Sequence, residues 1–83
     1  MTAKPMGNLQ PLPAEPRPGL YRHYKNKEYR VFGLARHSET LEPLVYYQAL
    51  WGEFGHWVRP AAMFVELIEH EGRRVPRFER IGD

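Results

Sequence analysis

The densest run of reactive side chains is Arg36-His37-Ser38-Glu39-Thr40, followed closely by Glu42. It offers an imidazole, two hydroxyls, two carboxylates and a guanidinium. A serine nucleophile needs a histidine within hydrogen-bond reach and a third group to orient that histidine. His37 and Ser38 are neighbours, so on extended chain they point to opposite faces, and no glycine-flanked nucleophile elbow surrounds Ser38. Ser38 and Thr40 read better as loop hydroxyls that bond nearby backbone amides. The run therefore yields no catalytic assignment. Metal binding needs three or four converging ligands. The histidines are His23, His37, His56 and His70, the chain has no cysteine, and no H-E-x-x-H is present. His37 and Glu39 share a face if extended, and His56 could supply a third ligand, but this spacing is unspecific and no metal site is assigned. Phosphate-binding loops, dinucleotide fingerprints and kinase motifs are absent, so no cofactor is expected.

A second group is Trp57 and Arg59, which fall on one face of an extended segment, with Tyr47 able to join them from a neighbouring strand. Aromatics beside an arginine can stack a base, a peptide proline or a cationic ligand. The plainer reading makes Trp57 core and Arg59 a cover for its edge. A third group is basic. Arg17, Arg22, Lys25, Lys27, Arg30 and Arg36 against the single Glu28 give residues 17–37 a net +5, whereas Glu39, Glu42 and Glu53 give residues 38–57 a net −3. Arg22, Lys25, Lys27, Arg30 and Arg36 could attract nucleic acid weakly. Charged side chains of this kind also protect the edges and faces of solvated strands.

The elements that must position these groups are mostly strands. Five prolines (Pro5, Pro11, Pro13, Pro16 and Pro18) fall in residues 1–18. Each lacks an N–H and biases its predecessor to extended geometry, so this stretch reads as a flexible, proline-rich tail. Leu20 to Lys25 is a first strand, Asn26-Lys27 a two-residue turn, and Glu28 to His37 a second strand. The tight turn would set Lys25 against Glu28 and Tyr24 against Tyr29. Within the second strand Tyr29 and Val31 fall on one face and Phe32 and Leu34 on the other. Gly33 between them predicts a bulge or bend, with a side chain there expected to be costly. Leu44 to Trp51 is a third strand, Gly52 to Gly55 a turn, and His56 to Arg59 a fourth strand stopped by Pro60. A short helical turn follows, then a fifth strand over Phe64 to Glu69, and Val75 to Ile81 forms a terminal extension. The expected architecture is mostly β, a small SH3-like barrel of about five antiparallel strands with one helical turn, spanning residues 19–81. The alternative is an open α+β sheet with a helix at 60–70.

At this level of detail the chain is similar to a known family. Gly19 to Lys25, Tyr29-Arg30-Val31, the hexapeptide Ala35-Arg36-His37-Ser38-Glu39-Thr40, Val45-Tyr46-Tyr47, Trp57-Val58-Arg59-Pro60 and Met63-Phe64 resemble the bacterial family called domain of unknown function 1653. The resemblance runs over about residues 19–80. It implies a glycine after the lysine of the first turn, where this chain has Asn26. It implies no activity.

The chain has room for a single domain. Its 11 aromatic residues (five Tyr, four Phe, two Trp) are enough to build a core without disulfides. The absence of cysteine suits a reducing compartment, no apolar run approaches the ~20 residues of a membrane span, and residues 1–19 do not resemble a secretory signal. A cytoplasmic protein with no membrane partner is therefore expected. Two functions fit. One is a non-enzymatic binding module that recognises a small ligand, peptide or nucleic acid. The other is a small hydrolase or metal-dependent enzyme using the Arg36–Glu42 loop, its pocket completed by a homodimer or partner. In either case the expected site lies where that loop meets His56–Arg59: His37, Ser38, Glu39, Thr40, Glu42, Tyr47, Trp57 and Arg59.

Overall fold

The computed structural model describes residues 10–83. Its strands are β1 (Gly19–His23), β2 (Glu28–Arg36), β3 (Pro43–Ala49), β4 (His56–Pro60), β5 (Leu67–His70), β6 (Arg73–Pro76) and β7 (Phe78–Gly82), with one short helix, α1 (Ala61–Phe64), between β4 and β5. The main sheet is antiparallel, five strands in the order β4-β3-β2-β1-β7, and β5 and β6 form a separate hairpin. The mostly-β reading with one helical turn holds, but the barrel does not close. β4 and β7 are the outer strands of an open, curved sheet. Side chains fill its concave side instead: Phe64 of α1 stacks on Phe78 of β7 with ring centroids 4.0 Å apart, and both pack with Tyr21, Val31, Val45 and Tyr47. A helix over 60–70 is not formed. Pro60 ends β4 and opens α1, which stops at Phe64 after one turn.

Two registers differ from the sequence expectation, each for a local reason. At the first hairpin Arg22 pairs with Glu28 and Tyr21 with Tyr29, so Tyr24 to Lys27 form the connection and Lys25 does not face Glu28. The His23 imidazole accepts the Lys25 N–H at 3.2 Å and packs edge-on to Phe78 at 4.9 Å, which draws the turn toward His23. Asn26 takes the left-handed φ of 69° that this turn requires, so it replaces glycine at little cost. In β2, Val31 pairs with Tyr47 and Gly33 with Tyr46. Phe32 is the extra residue of a bulge; it faces outward as alternation from the buried Val31 directs, and the bulge returns Leu34 to the inner face beside Tyr29. The strand serves one sheet, and a Cβ at Gly33 would meet nothing within 4 Å. Gly33 is thus the site of the irregularity but not of a close approach.

Of the expected tail, residues 1–9 lie outside the described residues. Residues 10–15 are exposed and in neither helix nor strand, whereas Pro16 is buried. Tyr21 donates its hydroxyl to the Arg17 carbonyl at 2.7 Å. Burial, with Glu15 nearby, pushes the Tyr21 phenol up, which keeps it the donor. Among the described residues no helix is long and apolar enough to cross a membrane.

Candidate binding cleft

The concave side of the sheet is not filled along its whole length. Beyond the Phe64–Phe78 stack a cleft of about 650 Å³ opens along the β3–β4 hairpin. Tyr29 of β2 and Tyr47 and Ala49 of β3 form its floor. Trp57 and Arg59 of β4 form one wall, Trp51 and Glu53 of the β3–β4 loop close one end, and Pro60 and Met63 lie at the other.

Local structure explains each placement. β3 and β4 pair with Tyr47 opposite Trp57 and Val45 opposite Arg59, so strand alternation puts Tyr47, Trp57 and Arg59 on the concave face. The loop turns tightly through Gly52 (φ 62°) and Phe54 (φ 57°). It closes with Ala49 donating to the Gly55 carbonyl at 3.0 Å. A Cβ on Gly55 would stand 3.0 Å from Nε1 of Trp57, so the indole lies against the glycine backbone. Both indoles remain open to solvent, Trp57 at 58% and Trp51 at 42% exposure, and Lys27 places its ammonium 5.0 Å from the centre of the Trp51 ring.

Arg59 is the half-buried charge of the cleft. Its Nε donates to the Tyr47 hydroxyl at 3.0 Å, and its guanidinium lies 5.8 Å from the Tyr47 ring centre and 5.6 Å from that of Phe78. It thus reaches from one outer strand to the other. Among the described residues its partners are a phenol and two ring faces, and no carboxylate pairs with it. His23 lies in the same neighbourhood. Burial holds its imidazole below the ordinary histidine range, and the charges of Arg77, Lys25 and Arg59 add to that effect.

The Arg36–Glu42 loop is organised differently. The His37 N–H donates to the Glu42 carbonyl at 2.8 Å and the Leu41 N–H to the His37 carbonyl at 2.9 Å. Nδ1 of His37 accepts the backbone N–H groups of Glu39 and Thr40 at 3.1 and 3.3 Å. The Thr40 hydroxyl accepts the Glu42 N–H at 3.2 Å, and Arg36 donates to the Leu41 carbonyl at 3.0 Å. Ser38 is exposed. Of the residues singled out from sequence, the cleft brings together Tyr47, Trp57 and Arg59. His37, Ser38, Glu39, Thr40 and Glu42 do not line it. Among the described residues no three His, Asp or Glu side chains cluster as metal ligands.

The basic residues disperse as well. Arg22 pairs with Glu28 at 3.8 Å, Arg30 donates to the Asp83 carbonyl at 3.4 Å, and Lys25 lies near the Tyr24 ring. Of the five, Lys27 lies near the ring of a cleft residue, Trp51. Sequence reasoning passed over Tyr29, Trp51, Glu53 and Met63. The available signal was Trp51 directly before Gly52, a large ring where the chain leaves a strand for a tight turn and has no core to enter.

Fold and cleft together define a small antiparallel β protein with an aromatic groove walled by an arginine. Residues 19–80 match the family described as "Protein of unknown function (DUF1653)", and the chain belongs to it. It is similar to a crystal structure of a DUF1653 protein from Bordetella bronchiseptica, with 37% sequence identity and a TM-score of 0.75, over 82% of this chain and 90% of that one. No curated protein matches the chain.

Proposed function

We propose that this protein is a non-enzymatic binding module whose cleft holds a ligand with a flat or apolar body and a negative charge. The observation that carries this reading is Arg59. A guanidinium held by a phenol and two ring faces keeps its charge and its remaining N–H groups for an incoming anion, and charge-assisted bonds of that kind are the strong ones. The surrounding Tyr and Trp rings offer large contact area at low conformational cost. Binding is favoured over turnover because the imidazole of His37 and the hydroxyl of Thr40 already accept backbone N–H groups within their own loop. The absence of cysteine supports a reducing, cytoplasmic setting.

Trp51 and Trp57 are the only tryptophans in the chain, so intrinsic fluorescence reports on the cleft directly. Titration with naphthalene-1-sulfonate is expected to quench it at lower concentration than the neutral 1-naphthalenemethanol. Arg59→Gln keeps an N–H for Tyr47 and should remove that preference, a loss of roughly tenfold for a charge-assisted bond. Trp57→Ala should weaken both probes. Equal binding of the two probes by the unaltered protein, or unchanged binding by Trp57→Ala, overturns the reading.

A further inference from the structure

The cleft carries charge at both ends, and this restricts what can fill it. Arg59 stands opposite Val45. Glu53 lies in the loop beyond Gly55, whose carbonyl is bonded to Ala49. From Val45 to Ala49 the strand advances about 13 Å, with the rings of Tyr47, Trp57, Tyr29 and Trp51 in between. A ligand that is anionic throughout meets Glu53. A ligand that is only cationic meets Arg59 and Lys27. An α-amino acid with a neutral side chain has its ammonium and its carboxylate bonded to the same α-carbon and cannot reach both ends. A ligand that complements both ends is negative at one end, flat in the middle and a hydrogen-bond donor at the other. Resting on the cleft reading above, we propose that the occupant is a single nucleotide unit whose base bears an exocyclic amine, with its phosphate on Arg59, its base against the indoles and its amine donating to Glu53.

Cytosine and uracil test this directly. Cytosine presents an amine that can donate to the Glu53 carboxylate, where uracil presents a carbonyl that cannot. The rest of the basic hairpin explains why one unit is specified rather than a track of phosphates. Arg22 is paired with Glu28, Arg30 bonds the Asp83 carbonyl and Arg36 bonds the Leu41 carbonyl. Lys27 is the one member of that group near the rings.

The experiment is a fluorescence titration of the full chain with cytidine 5′-monophosphate, uridine 5′-monophosphate, cytidine and a deoxycytidine decamer, with naphthalene-1-sulfonate run alongside. The cytidine nucleotide should bind roughly tenfold or more tighter than both the uridine nucleotide and cytidine, the scale of one hydrogen bond to a charged group. Glu53→Gln, at an exposed position, should bring the two nucleotides to near-equal affinity and leave sulfonate binding unchanged. The decamer should show no gain over the mononucleotide beyond its number of sites, with the salt dependence of about one phosphate. Equal affinity for the two nucleotides in the unaltered protein overturns the assignment of the amine. A decamer bound more than tenfold tighter per site, with a steep salt dependence, overturns the single-unit assignment in favour of a strand. Sulfonate binding without nucleotide binding overturns this inference and leaves the cleft reading standing. Failure of both ligands overturns both.

Discussion

The Arg36–Glu42 loop leads into β3 and the cleft runs along it, and the two use polar side chains in opposite ways. The loop is rich in groups able to do chemistry, but it commits those of Arg36, His37 and Thr40 to its own backbone. His37 and Thr40 accept N–H groups that a tight turn would otherwise leave unmade, and Arg36 satisfies the carbonyl of Leu41, which sits at a left-handed φ of 66°. The cleft is poor in such groups, but its chief charge is held by neutral partners and its indoles are only partly covered. What matters for recognition is the bonding capacity left after folding, and side-chain type alone does not report it.

The strongest way to break the contrast is to remove what holds the cleft open. Phe64 is 1% exposed and stacks on Phe78 beneath the region Arg59 spans. Phe64→Ala should cost about 3–5 kcal/mol, and at this chain length the thermal midpoint should fall by roughly 12 °C or more. A drop of only a few degrees would mean that Phe64 is not the packing centre of the concave side.

A smaller effect separates the two regions. His37→Ala removes the acceptor of two backbone N–H groups at an accessible site and should cost about 1 kcal/mol, while probe binding at the cleft stays unchanged. If His37→Ala leaves stability intact and weakens binding, the loop belongs to the site after all.

The smallest effect is a slope. Because the folded protein holds His23 below the ordinary value of 6.5, the unfolded chain takes up a proton first as pH falls. The stability contributed by the neutral ring is fully present above 6.5 and is lost progressively as pH falls toward the lowered folded value. His23→Gln should flatten the dependence of the thermal midpoint between pH 8 and pH 5 relative to the unaltered protein. Parallel curves for the two proteins would rule out this coupling.

Most strands were legible because β-branched and aromatic runs alternate with turn residues, as in Leu44 to Ala49 and around Gly52 to Gly55. The juxtaposition of Tyr47, Trp57 and Arg59 was legible for the same reason, since period-two alternation fixes a face without any knowledge of topology. Closure was not legible. It depends on whether the outer strands bond to each other, and here Phe64, Phe78 and Arg59 occupy the gap with side chains. The first hairpin register was not legible because His23 acts as an acceptor for the turn, a role its position in a strand pattern does not advertise. The bulge was anticipated at Gly33. Its effect on Leu34 was not, because one extra residue reverses every inside–outside assignment after it.

The open sheet also has a colloidal consequence. A closed barrel has no strand edges, whereas the main sheet of the described residues has two outer strands, β4 and β7, of five residues each. Such edges are templates on which a second chain can add a strand, so they govern self-association in concentrated solution independently of thermal stability. Shortness limits that template on both sides. Pro60 withholds an N–H at the end of β4, and Glu79 and Arg80 place charge along β7. β4 has less protection, since Val58 is exposed on it beside the outward stack of Phe32, Tyr46 and His56. The strand that carries Trp57 and Arg59 into the cleft is therefore also the edge at which sheet-to-sheet joining is expected first in a crowded solution.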